Sequence, residues 1–156
     1  MAIGILIQRK FLNGGSSKTI DTNIENVGNL AQWAYQGGSV TYKSDRAEAR
    51  TNGSARNIVA TKPIDLSNYN TIRIYGNLIT DYGSEALAVW FGVLKNEVLA
   101  NPPSYAPNNS FLASKRISSL RDSNYIEVDV SQIKGSYNIG TYGIGNYDVY
   151  KFELIK

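Results

Sequence analysis

The sequence predicts an all-β protein, a single-domain antiparallel sandwich of two sheets, and three observations lead to this fold class. The segment IDLSNYNTIRIYG at residues 64–76 returns in altered form as VDVSQIKGSYNIG at residues 128–140, so one turn-and-strand unit is used twice. Apolar and polar residues alternate with period two along most of the chain, as they do in half-buried strands. Clusters of Gly, Asn, Asp and Ser divide the alternating runs into short strands. The length of 156 residues suits one such domain.

Ten strands are predicted in order along the chain. They cover residues 3–12, 39–44, 46–51, 57–62, 71–79, 86–95, 110–117, 124–130, 137–144 and 148–155. Turn residues separate them at positions 37–38, 44–45, 52–53, 68–70, 81–84, 122–124 and 145–146. The segment Ile24 to Tyr35 has a weak helical pattern, but Gly28 interrupts it, so we expect a loop or a single helical turn there.

The alternation also assigns side chains to the two faces of the strands. The residues expected to face the core are Ile72, Ile74, Leu78, Leu87, Val89, Phe91, Val93, Tyr150, Phe152 and Leu154. Those expected to face outward are Arg73, Tyr75, Asn77, Ala88, Trp90, Gly92, Lys151 and Glu153. If strands 71–79 and 86–95 are neighbours, Trp90 lies on the outer face close to the outward residues of strand 71–79.

Composition argues against several classes of partner. Sixteen Lys and Arg face thirteen Asp and Glu, and these charges are interleaved, whereas nucleic acid requires a concentrated basic surface. No stretch approaches the roughly 20 apolar residues that span a bilayer, so neither a nucleic-acid nor a membrane partner is expected. The first fifteen residues lack the basic leader and cleavage site of a signal peptide, so a soluble protein made in the cytoplasm is the expectation.

Residues that commonly carry catalysis are absent or have simpler roles. The chain contains no His and no Cys, which removes the usual nucleophilic triads and ordinary zinc sites. Three acidic pairs remain that a glycosidase could use, namely Asp45 with Glu48, Asp81 with Glu85, and Glu127 with Asp129. Turn capping and solvent exposure explain these acids more simply. We therefore expect no enzyme, no cofactor and no catalytic residue, and a structural calcium ion stays a minor alternative.

The segment Asn96 to Ser110 departs from the compact pattern because it holds three of the four prolines. Proline stiffens such a loop, which reduces the entropy lost if Tyr105 at its tip contacts a partner. The alternative is a plain surface connection between strands of opposite sheets.

Several segments together resemble a known type of module. They are KFLNGG at 10–15, Trp33 followed by GGSVTY at 37–42, ATKPIDLSNYNTIRI at 60–74, EVDVSQIKGSYNIGTYG at 127–143 and VYKFELIK at 149–156. Over about residues 10–156 the chain resembles the jelly-roll modules of tail and baseplate proteins from phages of Gram-positive bacteria. This resemblance implies a jelly-roll β-sandwich at 13–156, similar to carbohydrate-binding modules, preceded by a short segment at 1–12.

The same resemblance implies a non-enzymatic structural component of a phage or phage tail-like particle, in the tail, baseplate, fibre or capsid decoration. Such a protein belongs in the virion, is assembled in the host cytoplasm, and has other virion proteins as partners. It would form a homo-oligomer or part of a symmetric ring. The apolar residues Ile3, Ile5, Leu6 and Ile7 are the candidate docking element, because they can add a strand to a neighbouring subunit.

The alternative function is a carbohydrate-binding module that recognises a host cell-wall polysaccharide. Sugars stack on aromatic faces edged by amide and guanidinium groups, and the candidate site therefore consists of Trp90, Arg73, Tyr75, Asn77 and Tyr105. A second interpretation of Trp90 is that it fills space under the long loop or at a subunit contact. Trp33 is expected to belong to the core.

A basic group has two interpretations as well. Lys43, Arg46, Arg50 and Arg56 are predicted on two adjacent strands, where Glu48 shares the face of Arg46 and Arg50. A solvated, charge-compensated face is one explanation. Binding of an acidic wall polymer such as a teichoic acid is the other.

Overall fold

The computed structural model describes residues 24–27, 34–35, 39–51, 56–82, 84, 87–101, 107–121 and 123–156. The strands in these ranges are β1 (Ile24–Val27), β2 (Ala34–Tyr35), β3 (Ser39–Tyr42), β4 (Ala47–Arg50), β5 (Asn57–Ala60), β6 (Ile64–Asp65), β7 (Thr71–Asp81), β8 (Trp90–Leu94), β9 (Phe111–Arg116), β10 (Tyr125–Asp129), β11 (Ser136–Tyr137), β12 (Ile139–Gly143) and β13 (Gly145–Ile155). Two short 3-10 helices cover Pro107–Ser110 and Ile117–Arg121.

The strands form two principal sheets with antiparallel pairing throughout. Sheet A has the order β10-β7-β13-β4-β3, with β1 also paired to β13, and sheet B has the order β2-β5-β12-β8-β9. Within them, β4-β13-β7-β10 faces β5-β12-β8-β9, and the chain passes between the sheets as in an eight-stranded jelly roll. The predicted fold class is confirmed: the protein is an antiparallel jelly-roll β-sandwich.

The core lies between the inner faces of the two sheets. Ile72 and Ile74 of β7 are fully buried, and so are Val89 and Val93 on the opposing sheet. The rings of Phe91 and Phe152 stack across the interface with their centroids 5.7 Å apart. Period-two alternation therefore assigned these six side chains to the inner faces correctly.

The two copies of the repeated unit are turns that meet at one end of the sandwich. The Asp65 carboxylate accepts a hydrogen bond from the backbone N–H of Ser67 (3.0 Å), and Asp129 accepts the equivalent bond from Ser131 (2.8 Å). Hydrogen bonds from the hydroxyl and the backbone of Ser67 lower the pKa of Asp65, and those from the backbone and the hydroxyl of Ser131 lower the pKa of Asp129. The copies are also joined to each other, because β6 pairs with β11 and the N–H of Gly135 donates to the Ser67 hydroxyl. Their Asp and Ser residues thus build the fold.

Two expectations about single segments are wrong. Residues 24–27 and 34–35, expected to lie in a loop or helical turn, form the strands β1 and β2, because they pair with β13 and β5; residues 28–33 lie outside the described ranges. Tyr150 was expected to face the core but is 43% exposed. The pairing of β13 with β7 shifts between Val149 and Lys151, so Tyr150 is an extra residue that reverses the alternation locally.

Some expectations concern residues outside the described ranges. These are the strand at 3–12 with its docking residues Ile3, Ile5, Leu6 and Ile7, the core residue Trp33, the acid Glu85 and the loop tip Tyr105. Across the part of the chain that is described, no helix is long and apolar enough to cross a membrane.

Candidate functional site

The outer face of sheet A gathers aromatic and charged side chains from its strands β10, β7 and β13. Cross-strand pairing places Tyr125, Tyr75 and Lys151 in one row and Glu127, Arg73 and Glu153 in the next. Alternation along each strand directs all six side chains away from the core. We call these six residues the tyrosine face.

The aromatic part of this face is a pair of tyrosines with cations against their rings. The ring centroids of Tyr75 and Tyr125 lie 5.3 Å apart with their planes tilted by 50°. The Arg73 guanidinium carbon lies 4.2 Å from the Tyr125 centroid, and the Lys151 ammonium lies 4.3 Å from the Tyr75 centroid. Tyr125 is nevertheless 38% exposed, so the cluster offers an aromatic surface to solvent in a fixed orientation.

Arg73 connects the two rows. Its Nε donates to Glu127 (2.9 Å), and its Nη1 donates to the Tyr75 hydroxyl (3.2 Å) and to Glu153 (3.3 Å). Burial alone would lower the pKa of Arg73, but hydrogen bonds with Glu127 and Tyr75 outweigh it and raise that pKa. The guanidinium therefore stays charged and holds the surrounding side chains in place.

Glu153 is the most buried charge of the tyrosine face, with a residue exposure of 4%. Burial favours the neutral form of Glu153 and would raise its pKa. Two hydrogen bonds, from Lys151 (2.5 Å) and from Tyr75, favour the charged form, and so do the positive charges of Lys151 and Arg73. The net effect is that the pKa of Glu153 is lowered. Glu153 is thus an ionised anchor under the face.

The structure separates the residues that the sequence predicted as one carbohydrate site. Arg73, Tyr75 and Asn77 do share the outer face of sheet A, and exposed Asn77 lies opposite Asp148. Trp90 belongs to β8 of sheet B, so the condition under which it would join the outward residues of strand 71–79 is not met. The reason is topological, because the chain crosses from one sheet to the other between β7 and β8.

Trp90 packs against a second apolar cluster within sheet B and the segment that follows β8. The buried members of this cluster are Ile58, Ala60, Leu94, Val98, Phe111 and Tyr142. Trp90 and Leu99 are partly buried against them. This agrees with the interpretation that Trp90 fills space under the long connection.

Tyr125, Lys151 and Glu153 complete the tyrosine face but were not part of the predicted site. Alternation assigns Lys151 and Glu153 outward, and Tyr125 has the same parity as Glu127, an acid that the sequence predicts to be exposed to solvent. A signal for an outward Tyr125 was therefore available. The missing information was the pairing of β10 with β7, which depends on the whole fold.

Three members of the basic group beside this face are paired with acids. Lys43 and Arg46 both lie 2.8 Å from Glu48, and Arg50 lies 2.7 Å from Asp148. These pairs correspond to the first of the two interpretations, a solvated face whose charges are compensated. Arg56 directly precedes β5 of sheet B, whereas Lys43, Arg46 and Arg50 lie on or next to β3 and β4 of sheet A.

The acids considered for glycoside cleavage are engaged in structural contacts. Asp45 pairs with Arg46 at 2.8 Å, Asp81 with Arg116 at 3.0 Å, and Glu127 with Arg73. Within the described ranges, no group of three or more acids is arranged to hold a metal ion. The expectation that the protein is not an enzyme stays a prediction from the sequence.

No family model matches the sequence, and no curated protein sequence matches it. Among solved structures, a xylan-binding module of the type CBM15 is 10% identical, with a TM-score of 0.48 over 85% of this chain and 95% of that module. The carbohydrate recognition domain of Emp47p is 13% identical, with a TM-score of 0.47 over 92% of this chain and 99% of that domain. The assignment to a phage particle stays a prediction from the sequence.

Proposed function

We propose that the protein is a non-enzymatic glycan-binding module that holds its ligand on the tyrosine face. The observation that carries this proposal is exposed Tyr125, fixed beside Tyr75 and surrounded by charged hydrogen-bonding groups. A sugar ring has an apolar C–H face and a rim of hydroxyl groups, so it needs an aromatic surface with donors and acceptors at its edge. Arg73 and Glu127 provide a donor and an acceptor next to Tyr125.

The rigidity of the face supports the same function. The three strands that carry it are joined by backbone pairing over most of the length of β7, and ion pairs fix the side chains above them. Tyrosine has few rotatable bonds, so a ring that is already held loses little entropy when a ligand binds. A preorganised surface of this kind suits ligands that offer only modest contact energy.

Replacement of the exposed tyrosine tests the proposal. Tyr125→Ala removes the aromatic surface, and we expect it to weaken glycan binding by about tenfold, equivalent to about 1.4 kcal/mol. The matched control is Tyr82→Ala, because Tyr82 is 39% exposed against 38% for Tyr125 and follows the far end of β7. The measurement is isothermal titration calorimetry with oligosaccharides chosen from a glycan array. Absence of binding to any glycan, or equal loss in both variants, would contradict the proposal.

A role in a phage or phage tail-like particle is a separate proposal that rests on the sequence resemblance. It includes location in the virion, contact with other virion proteins and self-association. If residues 1–12 carry the docking strand, their deletion should abolish incorporation into particles or oligomers without reducing glycan binding. Light scattering and sedimentation with particles measure this, and an unchanged assembly state would exclude the docking role.

A further inference from the structure

We infer that the ligand of the tyrosine face is an uncharged oligosaccharide of at least two sugar rings; this inference rests on the proposed function. It has two independent supports, the charge balance of the outer face of sheet A and the separation of its exposed tyrosines.

The charges on this face are balanced locally. Its cations Lys43, Arg46, Arg50, Arg73 and Lys151 are matched by the carboxylates Asp45, Glu48, Glu127, Asp148 and Glu153. Each of these five cations has a carboxylate oxygen within 3.3 Å. Exposed Asp129 on β10 adds a further negative charge. Although the chain carries a net charge of +3, this face has no surplus of positive charge among the described residues.

This balance disfavours an acidic polymer. A phosphate or uronate group would have to compete with a carboxylate that already holds the cation, and it would lie beside that carboxylate. A sugar hydroxyl does not face this competition, since it can donate to the outer lone pairs of Glu127 and accept from a remaining guanidinium N–H. Paired charges are thus suited to bind neutral hydroxyl groups.

The size of the ligand follows from the position of a second exposed tyrosine. Tyr150 is 43% exposed on β13, a central strand whose inner face is buried, so its side chain lies on the outer face. It is separated from Tyr125 by two strand spacings, roughly 10 Å. One sugar ring covers a single tyrosine, so contact with both requires a chain of at least two rings.

The test compares defined glycans on the full-length protein. Neutral hexose and pentose chains are titrated beside uronic-acid and glycerol-phosphate chains of matched length, with the monosaccharides as a further arm. Amide signals of β7, β10 and β13 in heteronuclear NMR spectra locate the binding. We expect the neutral chains to bind more tightly than their monosaccharides by about tenfold. We also expect their affinity to change by less than about twofold between roughly 0.05 and 0.5 M salt, because screening does not affect neutral ligands.

A matched pair of charge variants sharpens the experiment. Glu127→Gln removes the exposed carboxylate that pairs with Arg73 and one negative charge from the face, so it should strengthen binding of the acidic chains by about threefold or more at low salt. Glu97→Gln makes the same charge change in the exposed turn after β8 and should have no effect.

The outcomes separate the inference from the proposed function. Tighter, salt-sensitive binding of acidic chains by the unmodified protein would overturn the inference and leave glycan binding intact. Equal affinity for a monosaccharide and its oligomer would overturn the size argument. If no glycan shifts the signals of these strands, the inference and the proposed function both fail.

Discussion

At the scale of single residues, Arg73 determines the geometry of the tyrosine face. It contacts the Tyr125 ring, donates to the Tyr75 hydroxyl and pairs with Glu127 and Glu153, although only 17% of its side chain is exposed. Lysine could supply the charge but not the planar group that reaches these partners together. One side chain therefore links the aromatic surface to the buried acid beneath it.

Removal of this side chain should affect folding as well as binding. Arg73→Ala removes one of the two cations that pair with Glu153 and leaves it with Lys151, so we expect the free energy of unfolding to fall by about 2–4 kcal/mol. Urea unfolding followed by circular dichroism measures the change. Lys115→Ala, at an exposed position on β9, is the control and should alter stability by less than about 0.5 kcal/mol. Equal stability of the two variants would show that Arg73 does not hold the acid in place.

At the scale of elements, the sequence identified strands more reliably than their partners. Each of the described predicted strands from 39–44 onward overlaps a strand of the structure, because alternation is a local property of a half-buried strand. Local pattern did not reveal that Trp90 lies on the opposite sheet from Arg73, since the crossing between β7 and β8 depends on the packing of both sheets. Nor did it reveal the bulge at Tyr150, which adds one residue without any break in composition.

The same distinction explains what was found of the candidate site. Arg73, Tyr75 and Asn77 were assigned to one face because they lie on one strand at period two. Tyr125 and Glu153 join that face only through pairing with β7, at sequence separations too long for any local motif to record. The site residues on β7 were therefore predictable from the sequence, whereas those on β10 and β13 became apparent only from the strand pairing.

Strand β13 is the element on which sheet A depends. It lies between β7 on one side and β4 and β1 on the other, and it places Phe152 and Leu154 in the core. A chain that ends at Tyr150 loses the pairing with β1, half of the pairing with β7 and both apolar side chains, so we expect it not to fold. Dispersion in NMR spectra and cooperativity of thermal unfolding measure this. A chain that ends at Ile155 is the matched control and should fold, whereas cooperative unfolding of the shorter chain would contradict the prediction.

At the scale of the whole molecule, ionised carboxylates stabilise the fold at several separate places. Asp65 and Asp129 cap the two repeated turns, Glu48 accepts hydrogen bonds from Lys43 and Arg46, and Glu153 lies under the tyrosine face. The folded protein lowers the pKa of all four groups. Because these carboxylates lie in different turns and strands of the sandwich, their protonation should lower the free energy of unfolding of the whole domain.

The sign of the resulting pH dependence follows from those shifts. A carboxylate with a lowered pKa in the folded state stabilises the protein above its unfolded pKa, which is near 3.8 for Asp and 4.5 for Glu. Between about pH 7 and 5.5 these four groups stay ionised, so their contribution to the free energy of unfolding should be constant. As the pH falls below about 4.5 they become protonated, and the free energy of unfolding should decrease. Urea unfolding across this range measures this free energy.

The variant Glu153→Gln tests the contribution of the buried acid. Its stability at neutral pH should be lower and its decrease on acidification smaller, because one of the four titrating groups is gone. A parallel decrease in both proteins would assign the acid sensitivity to the turns and surface pairs, and constant stability down to about pH 3 would exclude the carboxylates as its cause.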